Sequence, residues 1–167
     1  MEEHRATAAE KGTVIHRMLM LMPLAPLRGL HGEALKAELQ SRLHDMQGRG
    51  VITRQELSLI SADALAAYYE SPLGQRVLAA ETVKREWHFD LLVEQTILQG
   101  VIDCAFLENG AWVLVDYKTD HFTDDAAFTG HHRPQLAWYA KAVLQLTGTP
   151  VSEQYLYAIS YGKTYRL

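Results

Sequence analysis

The chain has 167 residues, of which 48% are hydrophobic and 22% charged, and its formal net charge is −4. This is about the length of one globular domain of ordinary composition. The negative charge excludes a broad basic surface as the means of holding nucleic acid, so any such contact must be local, metal-assisted or supplied by another protein. The single cysteine, Cys104, excludes an intramolecular disulfide, a Cys-rich zinc site and a cysteine-bound iron–sulfur cluster.

Neither a membrane span nor a secretory signal is predicted. The apolar segment Met18–Leu24 is interrupted by Pro23 and is far shorter than the roughly 20 residues that a membrane span needs. Met1–Arg5 is acidic and has no hydrophobic segment behind it, which argues against a secretory signal. We therefore expect a cytoplasmic protein with no membrane partner.

The first half of the chain carries helical periodicity and helix-capping signals. Thr7 with Glu10, and Thr53 with Glu56, have the spacing of capping boxes. The predicted helices are Ala8–Met22, Glu33–Met46, a short helix after Thr53, one from Ser61 through Tyr69, and one from Ser71-Pro72 through Ala79.

The second half is dominated by residues that favour strands. The predicted strands are Thr82–Val93, Gln95–Leu107, Ala111–Lys118, Ser152–Ile159 and Lys163–Leu167. A polar loop is predicted over Asp120–Gly130, followed by a helix over Pro134–Thr147 that crosses over the sheet. The predicted fold class is α/β (α+β), with a mixed central sheet flanked by helices and a helical N-terminal half.

The hairpin between the second and third strands brings acidic residues together. A two-residue turn at Asn109-Gly110 sets a register in which Asp103 lies opposite Asp116. Lys118, two residues further along, points to the same face. A four-residue loop keeps this register, whereas a three-residue loop sends the two aspartates to opposite faces.

Two facing carboxylates among apolar strand residues need an offsetting interaction. One aspartate is protonated, Lys118 pairs with them, or a divalent cation binds between them. Mg²⁺ suits two carboxylates, a backbone carbonyl and an imidazole, because it prefers hard ligands and retains several waters. Lys118 would then position a water or neutralise charge that develops on a phosphate. The spacing also fits a purely structural ion-pair cluster, and it does not decide between the two.

Five segments in this order resemble the RecB-like branch of the PD-(D/E)XK nucleases. They are Gly12-Thr-Val-Ile-His16, Arg85-Glu86-Trp-His-Phe89, Gly100-Val-Ile-Asp103, Val115-Asp116-Tyr117-Lys118-Thr119 and Gln135-Leu-Ala-Trp-Tyr139. The resemblance extends from about Ala9 to Leu167 and is greatest to the C-terminal nuclease domain of AddA-type helicase–nuclease subunits. It implies a restriction-endonuclease-like core in a single domain over 1–167, with a helical region at 1–80 and the core sheet and crossover helix at 81–167.

The resemblance also implies the chemistry of the site. It implies Mg²⁺-dependent hydrolysis of DNA phosphodiesters, with Mn²⁺ as a substitute and no iron–sulfur cluster. The implied metal ligands are His16, Asp103, Asp116 and the carbonyl of Tyr117. The implied catalytic residues are Asp103, Asp116 and Lys118. The residues expected to line the site or contact DNA or phosphate are Gln135, Tyr139 and Glu86.

The partners follow from the same resemblance. They are a single-stranded DNA end, in particular the 3′-terminated strand during double-strand-break repair and recombination, a helicase motor in the same full-length chain, and an AddB-type subunit. The chain has no Walker A motif, so we expect an excised domain or a short relative. The alternatives are a catalytically silent DNA-binding or scaffolding module and a standalone phage or restriction-type nuclease.

Several of these residues also have simpler interpretations. Without the resemblance, His16 is a core histidine, Tyr139 a core-edge residue and Glu86 a charge on a strand surface. The segment His131–Arg133 either contacts phosphate or lies in a solvated loop, and the loop is favoured. The aromatic residues expected to pack against other side chains rather than stack on bases are Trp112, Trp138 and Tyr155.

Overall fold

A computed structural model of the protein describes residues 7–167, which divide into two compact units. The helical unit contains residues 7–79 and 159–162, and the sheet unit contains residues 80–158 and 163–167. The boundary at residue 80 coincides with the change from helical to strand patterning, while the assignment of one domain over 1–167 stays a prediction. The segment Met1–Arg5, on which the argument against a secretory signal rested, lies outside the described residues. No helix within residues 7–167 is long and apolar enough to cross a bilayer.

The helical unit contains the five predicted helices. They are α1 (Ala8–Leu21), α2 (Gly32–Gly48), α3 (Arg54–Leu59), α4 (Ala62–Glu70) and α5 (Pro72–Ala79). Both predicted capping boxes form, because Thr7 accepts the N–H of Glu10 and Thr53 accepts the N–H of Glu56. Two short 3₁₀ turns, Ala25–Leu27 and Ile159–Tyr161, complete this unit.

The core of the helical unit forms where α2 packs against α4. Leu35, Leu39 and Leu43 recur every fourth residue along one face of α2 and are buried. On α4, Tyr68 and Tyr69 are each 1% exposed, and their rings meet edge to face with centroids 5.1 Å apart. The helix-periodic leucines therefore identify the buried face of α2.

The sheet unit contains five strands in the order β1-β2-β3-β4-β5. The strands are β1 (Val83–Val93), β2 (Thr96–Glu108), β3 (Ala111–Lys118), β4 (Val151–Ala158) and β5 (Lys163–Arg166). Strands β3 and β4 are parallel and are connected through α6 (Asp125–Thr147), and all other pairs are antiparallel. The predicted class, a mixed sheet combined with helices, is confirmed.

The hairpin register is confirmed from Glu108↔Ala111 to Cys104↔Val115. Both turn residues have positive φ, 52° at Asn109 and 78° at Gly110. Positive φ at both central positions is the signature of the two-residue type I′ turn, and Asn-Gly favours it because both residues tolerate that conformation. The local turn therefore sets the register on which the site depends.

The expected loop over Asp120–Gly130 is wrong for its second half, because α6 begins at Asp125. Asp124 caps the helix by accepting the N–H groups of Ala126 and Ala127. Pro134 lies inside the helix, although proline ordinarily marks a helix start or a break. Packing of Phe128 against Phe122 and Tyr165 stabilises the additional turns.

A buried apolar cluster joins the sheet to α6. Its members are Phe89, Leu91, Ile102, Ala105, Trp112, Leu114, Tyr139, Ala142 and Val143. The predicted crossover helix thus packs on the sheet, with Tyr139 among its buried residues. This face of the sheet is the one on which the candidate site is built.

The thiol of Cys104 is expected to be unreactive in the folded protein. The side chain is fully buried, and this burial raises the pKa of the thiol to about 12. Because the thiolate is the reactive form, a water-soluble disulfide reagent should label no thiol in the native chain and one thiol after unfolding in denaturant. Rapid stoichiometric labelling of the native chain would contradict the buried position.

Candidate active site

The C-terminal end of β3 carries a buried ion pair. Asp116 is 3% exposed and is the one buried charged residue within residues 7–167. Its Oδ2 atom lies 2.6 Å from the Nζ atom of Lys118, which is itself largely buried. Pairing with Lys118, one of the three expected ways to accommodate the carboxylates, is therefore present.

Asp103 lies where the pairing between β1 and β2 is interrupted. The register of the two strands puts Glu86 opposite Asp103, yet these two residues are missing from an otherwise regular ladder, and Glu86 has a φ of 49°. The residues of β2 in the core cluster are Ile102 and then Ala105, three apart, although regular alternation separates such residues by two. The burial pattern of β2 therefore shifts by one residue at Asp103, while its register with β1 is the same on both sides of the interruption.

The pairing between β2 and β3 also stops next to Asp103. The last backbone pair is Cys104↔Val115, and beyond it the Asp103 Oδ2 atom accepts the backbone N–H of Tyr117 at 2.8 Å. The side-chain carboxylate of Asp103 thus accepts a backbone N–H of β3 beyond the last backbone pair of the two strands. This contact holds the Asp103 carboxylate at the backbone of Tyr117, the residue after Asp116, while the expected facing of Asp103 and Asp116 across the hairpin stays a prediction.

Helix α6 contributes Gln135 and Tyr139, which extend a chain of side-chain hydrogen bonds that begins at Lys118. The Nζ atom of Lys118 donates to the Oε1 atom of Gln135 at 2.8 Å, and the Nε2 atom of Gln135 donates to the hydroxyl oxygen of Tyr139 at 2.7 Å. Gln135 and Tyr139 are four residues apart, so they lie on one helix face. Both predicted site-lining residues of α6 are brought to Lys118, one directly and one through the other.

The hydroxyl group of Tyr139 is influenced by the charges of both carboxylates. Burial raises the pKa of Tyr139 above its ordinary value, and the negative charges of Asp116 and Asp103 raise it further. The hydrogen bond from Gln135 acts in the opposite direction and is outweighed. The phenol therefore stays neutral at physiological pH and can donate a hydrogen bond near the carboxylates.

His132 of α6 lies close enough to Lys118 for the lysine charge to affect its pKa. Burial and then the positive charge of Lys118 lower the pKa of His132, while the carboxylate of Asp120, 3.2 Å from its Nε2 atom, opposes the shift. The segment His131–Arg133 is part of α6, so the favoured solvated-loop interpretation is wrong. The signal that could have placed these residues on a helix is Asp124, because aspartate favours the N-cap position.

The donor set of the site suits a hard divalent cation. Within residues 7–167 no group of three or more His, Cys, Asp or Glu side chains is arranged to hold a metal ion. The sheet unit instead offers two carboxylates, Asp103 and Asp116, next to the backbone carbonyl of Tyr117. Mg²⁺ is commonly bound by one or two carboxylates and several waters, so these oxygen donors fit it. With both carboxylates and Lys118 ionised, the three groups have a net negative charge, which attracts a cation.

The catalytic and binding roles of all the predicted site residues stay predictions, including those of two residues that take no part in the contacts above. His16 is partly buried on α1 in the helical unit, and the family resemblance implies that it is a metal ligand. Glu86 is exposed at the interruption in β1, opposite Asp103 in the strand register.

The three aromatic residues expected to pack rather than stack on bases differ in their exposure. Trp112 is buried, and Tyr155 is partly buried. Trp138 is 36% exposed, so part of its ring is not packed against the rest of the protein. The reason is its position on α6, where it does not lie on the face that joins the buried cluster on the sheet.

Gly100 allows an aromatic ring to support the site. Phe89 is paired with Gly100 across the β1–β2 ladder, and a Cβ atom on Gly100 would lie 2.5 Å from the Phe89 ring. The ring of Phe89 in turn packs edge to face against Tyr139, with centroids 5.5 Å apart. The glycine of the Gly-x-x-Asp segment therefore has a packing role that the sequence alone did not reveal.

We expect Gly100→Ala to weaken both the fold and the site. The added methyl group displaces the Phe89 ring, which then presses on Tyr139, and overpacking of this kind costs about 1–3 kcal/mol. Urea unfolding should show the loss of stability, and DNA cleavage should fall. As a matched control, Gly130→Ala inside α6 meets no atom within 4 Å, so it should leave cleavage unchanged and raise stability by up to about 1 kcal/mol through helix propensity. Equal effects of the two substitutions would contradict this packing role.

Comparison with known protein families shows the class to which the chain belongs. The profile of the PD-(D/E)XK nuclease superfamily matches residues 1–165. The chain belongs to this superfamily and is a nuclease.

Its relatives include the long A subunits of ATP-dependent helicase/nucleases. The chain is 35% identical over 174 residues to the A subunit of the Alkaliphilus metalliredigens enzyme, and the alignment covers 94% of the chain and 14% of that protein. The A subunit of Bacillus pumilus is 32% identical over 181 residues, and the alignment covers 94% of the chain and 14% of that protein. The A subunit of Acetivibrio thermocellus is 29% identical over 180 residues, and the alignment covers 97% of the chain and 14% of that protein. The chain thus spans about one seventh of the length of these relatives and aligns with their C-terminal region.

Proposed function

We propose that the chain hydrolyses phosphodiester bonds of single-stranded DNA in a Mg²⁺-dependent reaction. The observation that carries this proposal is the contact of the Asp103 carboxylate with the backbone N–H of Tyr117, beside the buried Asp116–Lys118 pair. It gathers two carboxylates and an ammonium group at one end of β3. Membership of the nuclease superfamily supports the same chemistry.

Asp103, Asp116 and the carbonyl of Tyr117 are the proposed metal ligands, and His16 is the further ligand that the family resemblance implies. A bound divalent cation supplies Lewis-acid polarisation of a phosphate oxygen and lowers the pKa of a coordinated water. Mn²⁺ is expected to substitute for Mg²⁺, since both accept oxygen ligands.

Lys118 is the proposed catalytic lysine. Its ammonium group orients the attacking water and stabilises the negative charge that develops on the phosphate. Attack of water on phosphorus forms one P–O bond and breaks the bond to the 3′ oxygen, which takes up a proton. The products are a 5′-phosphate and a 3′-hydroxyl.

Gln135 and Tyr139 are the proposed positioning and DNA-contacting residues. Gln135 holds Lys118 through its side-chain oxygen and holds Tyr139 through its side-chain nitrogen. The neutral phenol of Tyr139 is a donor suited to a phosphate oxygen. Glu86, opposite Asp103 in the strand register, is proposed to line the site.

We propose that the chain acts as the nuclease part of a longer helicase–nuclease. The relatives are named as A subunits of ATP-dependent helicase/nucleases, and the chain matches 14% of their length. A motor in the same full-length chain would deliver a single-stranded end, and an AddB-type subunit would be its partner. The proposed role is trimming of the 3′-terminated strand during double-strand-break repair in the cytoplasm.

The test of this function uses single-stranded DNA labelled at its 5′ or 3′ end. Incubation with Mg²⁺ or Mn²⁺ should shorten the strand, whereas EDTA or replacement by Ca²⁺ should prevent cleavage. The two labels reveal the end at which digestion begins, and the 3′ end is expected. Absence of cleavage with both metals would contradict the proposal.

A catalytically silent module is the second candidate function. It is favoured by the Asp116–Lys118 ion pair, because an ammonium group already partners this carboxylate. A silent module would bind DNA without cleaving it and would not require both aspartates for metal binding. The same cleavage assay, together with metal titration, separates the two candidates.

A further inference from the structure

A cavity of about 210 Å³ lies beside the proposed catalytic residues in the sheet unit. Gln135 and Tyr139 line one side of it, and Leu98 and Gln99 of β2 line another. Gln135 donates to Tyr139 and accepts from Lys118, so the cavity shares two residues with the hydrogen-bonded chain that begins at Lys118. A substrate strand that reaches Lys118 would therefore pass close to this cavity.

Trp138 provides an exposed aromatic wall for this cavity. The side chain is 36% exposed although tryptophan is among the largest apolar residues, and it lies three residues after Gln135 on α6. The Nζ atom of Lys141 lies over one face of the Trp138 ring, 4.2 Å from the ring centre, in a cation–π contact. A flat ligand that stacks on Trp138 must therefore use the opposite face, with the ammonium group close enough to attract a negative charge on the same ligand.

We propose that this cavity binds one unpaired nucleobase of the DNA strand, stacked on Trp138. The inference rests on the proposed function and specifies how its substrate is held. The side-chain nitrogen of Gln99 donates to Asp90, which leaves its side-chain oxygen to accept a hydrogen bond from the edge of the base. Lys141 lies near enough to the Trp138 ring to attract the adjoining phosphate. A base in a duplex is stacked and paired, so only a single strand or a frayed end can fill the site.

The charge of the chain explains why stacking matters here. With a net charge of −4, the protein gains little affinity from general attraction to phosphates. Stacking of a base on an aromatic ring contributes about 1–3 kcal/mol and is tolerant of sequence, because every base has a π face. The cavity therefore supplies affinity for any single strand.

The test measures binding of a labelled oligothymidylate by fluorescence anisotropy, with Ca²⁺ present so that the strand stays intact. Trp138→Ala should weaken binding about tenfold, whereas Trp138→Phe should retain most of the affinity because it preserves a ring. Leu146→Ala removes another exposed apolar side chain of α6, 49% exposed, and should bind as the parent chain does. Circular dichroism checks that each variant is folded.

A second series distinguishes stacking from a structural role. Abasic sites placed along the strand should weaken binding to the parent chain, and they should cause little further loss in Trp138→Ala. Equal binding by Trp138→Ala and the parent chain, additive losses, or no measurable binding by the parent chain would each overturn the base site. Binding with the expected pattern but without cleavage in Mg²⁺ would instead contradict the proposed function and leave the base site supported.

Discussion

Replacing Lys118 with alanine should lower the rate of Mg²⁺-dependent cleavage by about 10²- to 10³-fold, the usual effect of removing one group that stabilises transition-state charge. The ammonium group lies 2.6 Å from Asp116 and 2.8 Å from Gln135, so two neighbours hold it in place. Single-turnover cleavage of labelled single-stranded DNA measures the chemical step without a contribution from product release.

The matched control for this prediction is Lys84→Ala. Lys84 is an exposed lysine of β1, where its Nζ atom lies 4.8 Å from the Trp87 ring centre. The substitution removes the same charge from the same unit and should leave the cleavage rate within about twofold, since surface substitutions usually have small effects. Thermal unfolding checks that Lys118→Ala is folded at the assay temperature. Cleavage at the parental rate by folded Lys118→Ala would contradict its catalytic role.

Gly74→Ala should be strongly destabilising. A Cβ atom at this position would lie 2.0 Å from the backbone oxygen of Tyr68 and 2.7 Å from the Cα atom of Tyr69. Backbone atoms of a packed helix cannot move aside as a flexible side chain can, so we expect a loss of about 3 kcal/mol, at the upper end of the range for overpacking. The midpoint of urea unfolding measures this loss.

Gly48→Ala is the matched control for the stability prediction. Gly48 lies at the end of α2, and an added Cβ atom meets nothing within 4 Å. Alanine favours the helix over glycine, so this variant should be as stable as the parent chain or up to about 1 kcal/mol more stable. Similar unfolding midpoints for Gly74→Ala and Gly48→Ala would contradict the prediction, because they would show that the backbone of α4 can move to make room for a Cβ atom at Gly74.

The sequence predicts the central hairpin because its information is local. Asn109-Gly110 selects the turn, and the turn sets the register that leads from Cys104↔Val115 to the two aspartates. The capping boxes at Thr7 and Thr53 are local in the same sense. These features need no knowledge of distant parts of the chain.

Other features depend on tertiary packing and were missed. The start of α6 at Asp125 depends on the packing of Phe128, and the exposure of Trp138 depends on which face of α6 meets the sheet. The interruption of the strand pairing at Glu86 and Asp103 was also missed, because the exposure of β1 alternates regularly through Glu86 and gives no sign of it. The sequence therefore predicted the residue types of the site better than the local backbone geometry around Asp103.

Joint metal binding by Asp103 and Asp116 is the central claim, and calorimetric titration with Mn²⁺ tests it most directly. The parent chain should bind the ion, and Asp103→Asn and Asp116→Asn should each abolish or greatly weaken binding while remaining folded. Asp120→Asn, an exposed aspartate outside the ligand set, should bind as the parent chain does. Unchanged Mn²⁺ binding in either of the first two variants, or no binding by the parent chain, would contradict the claim.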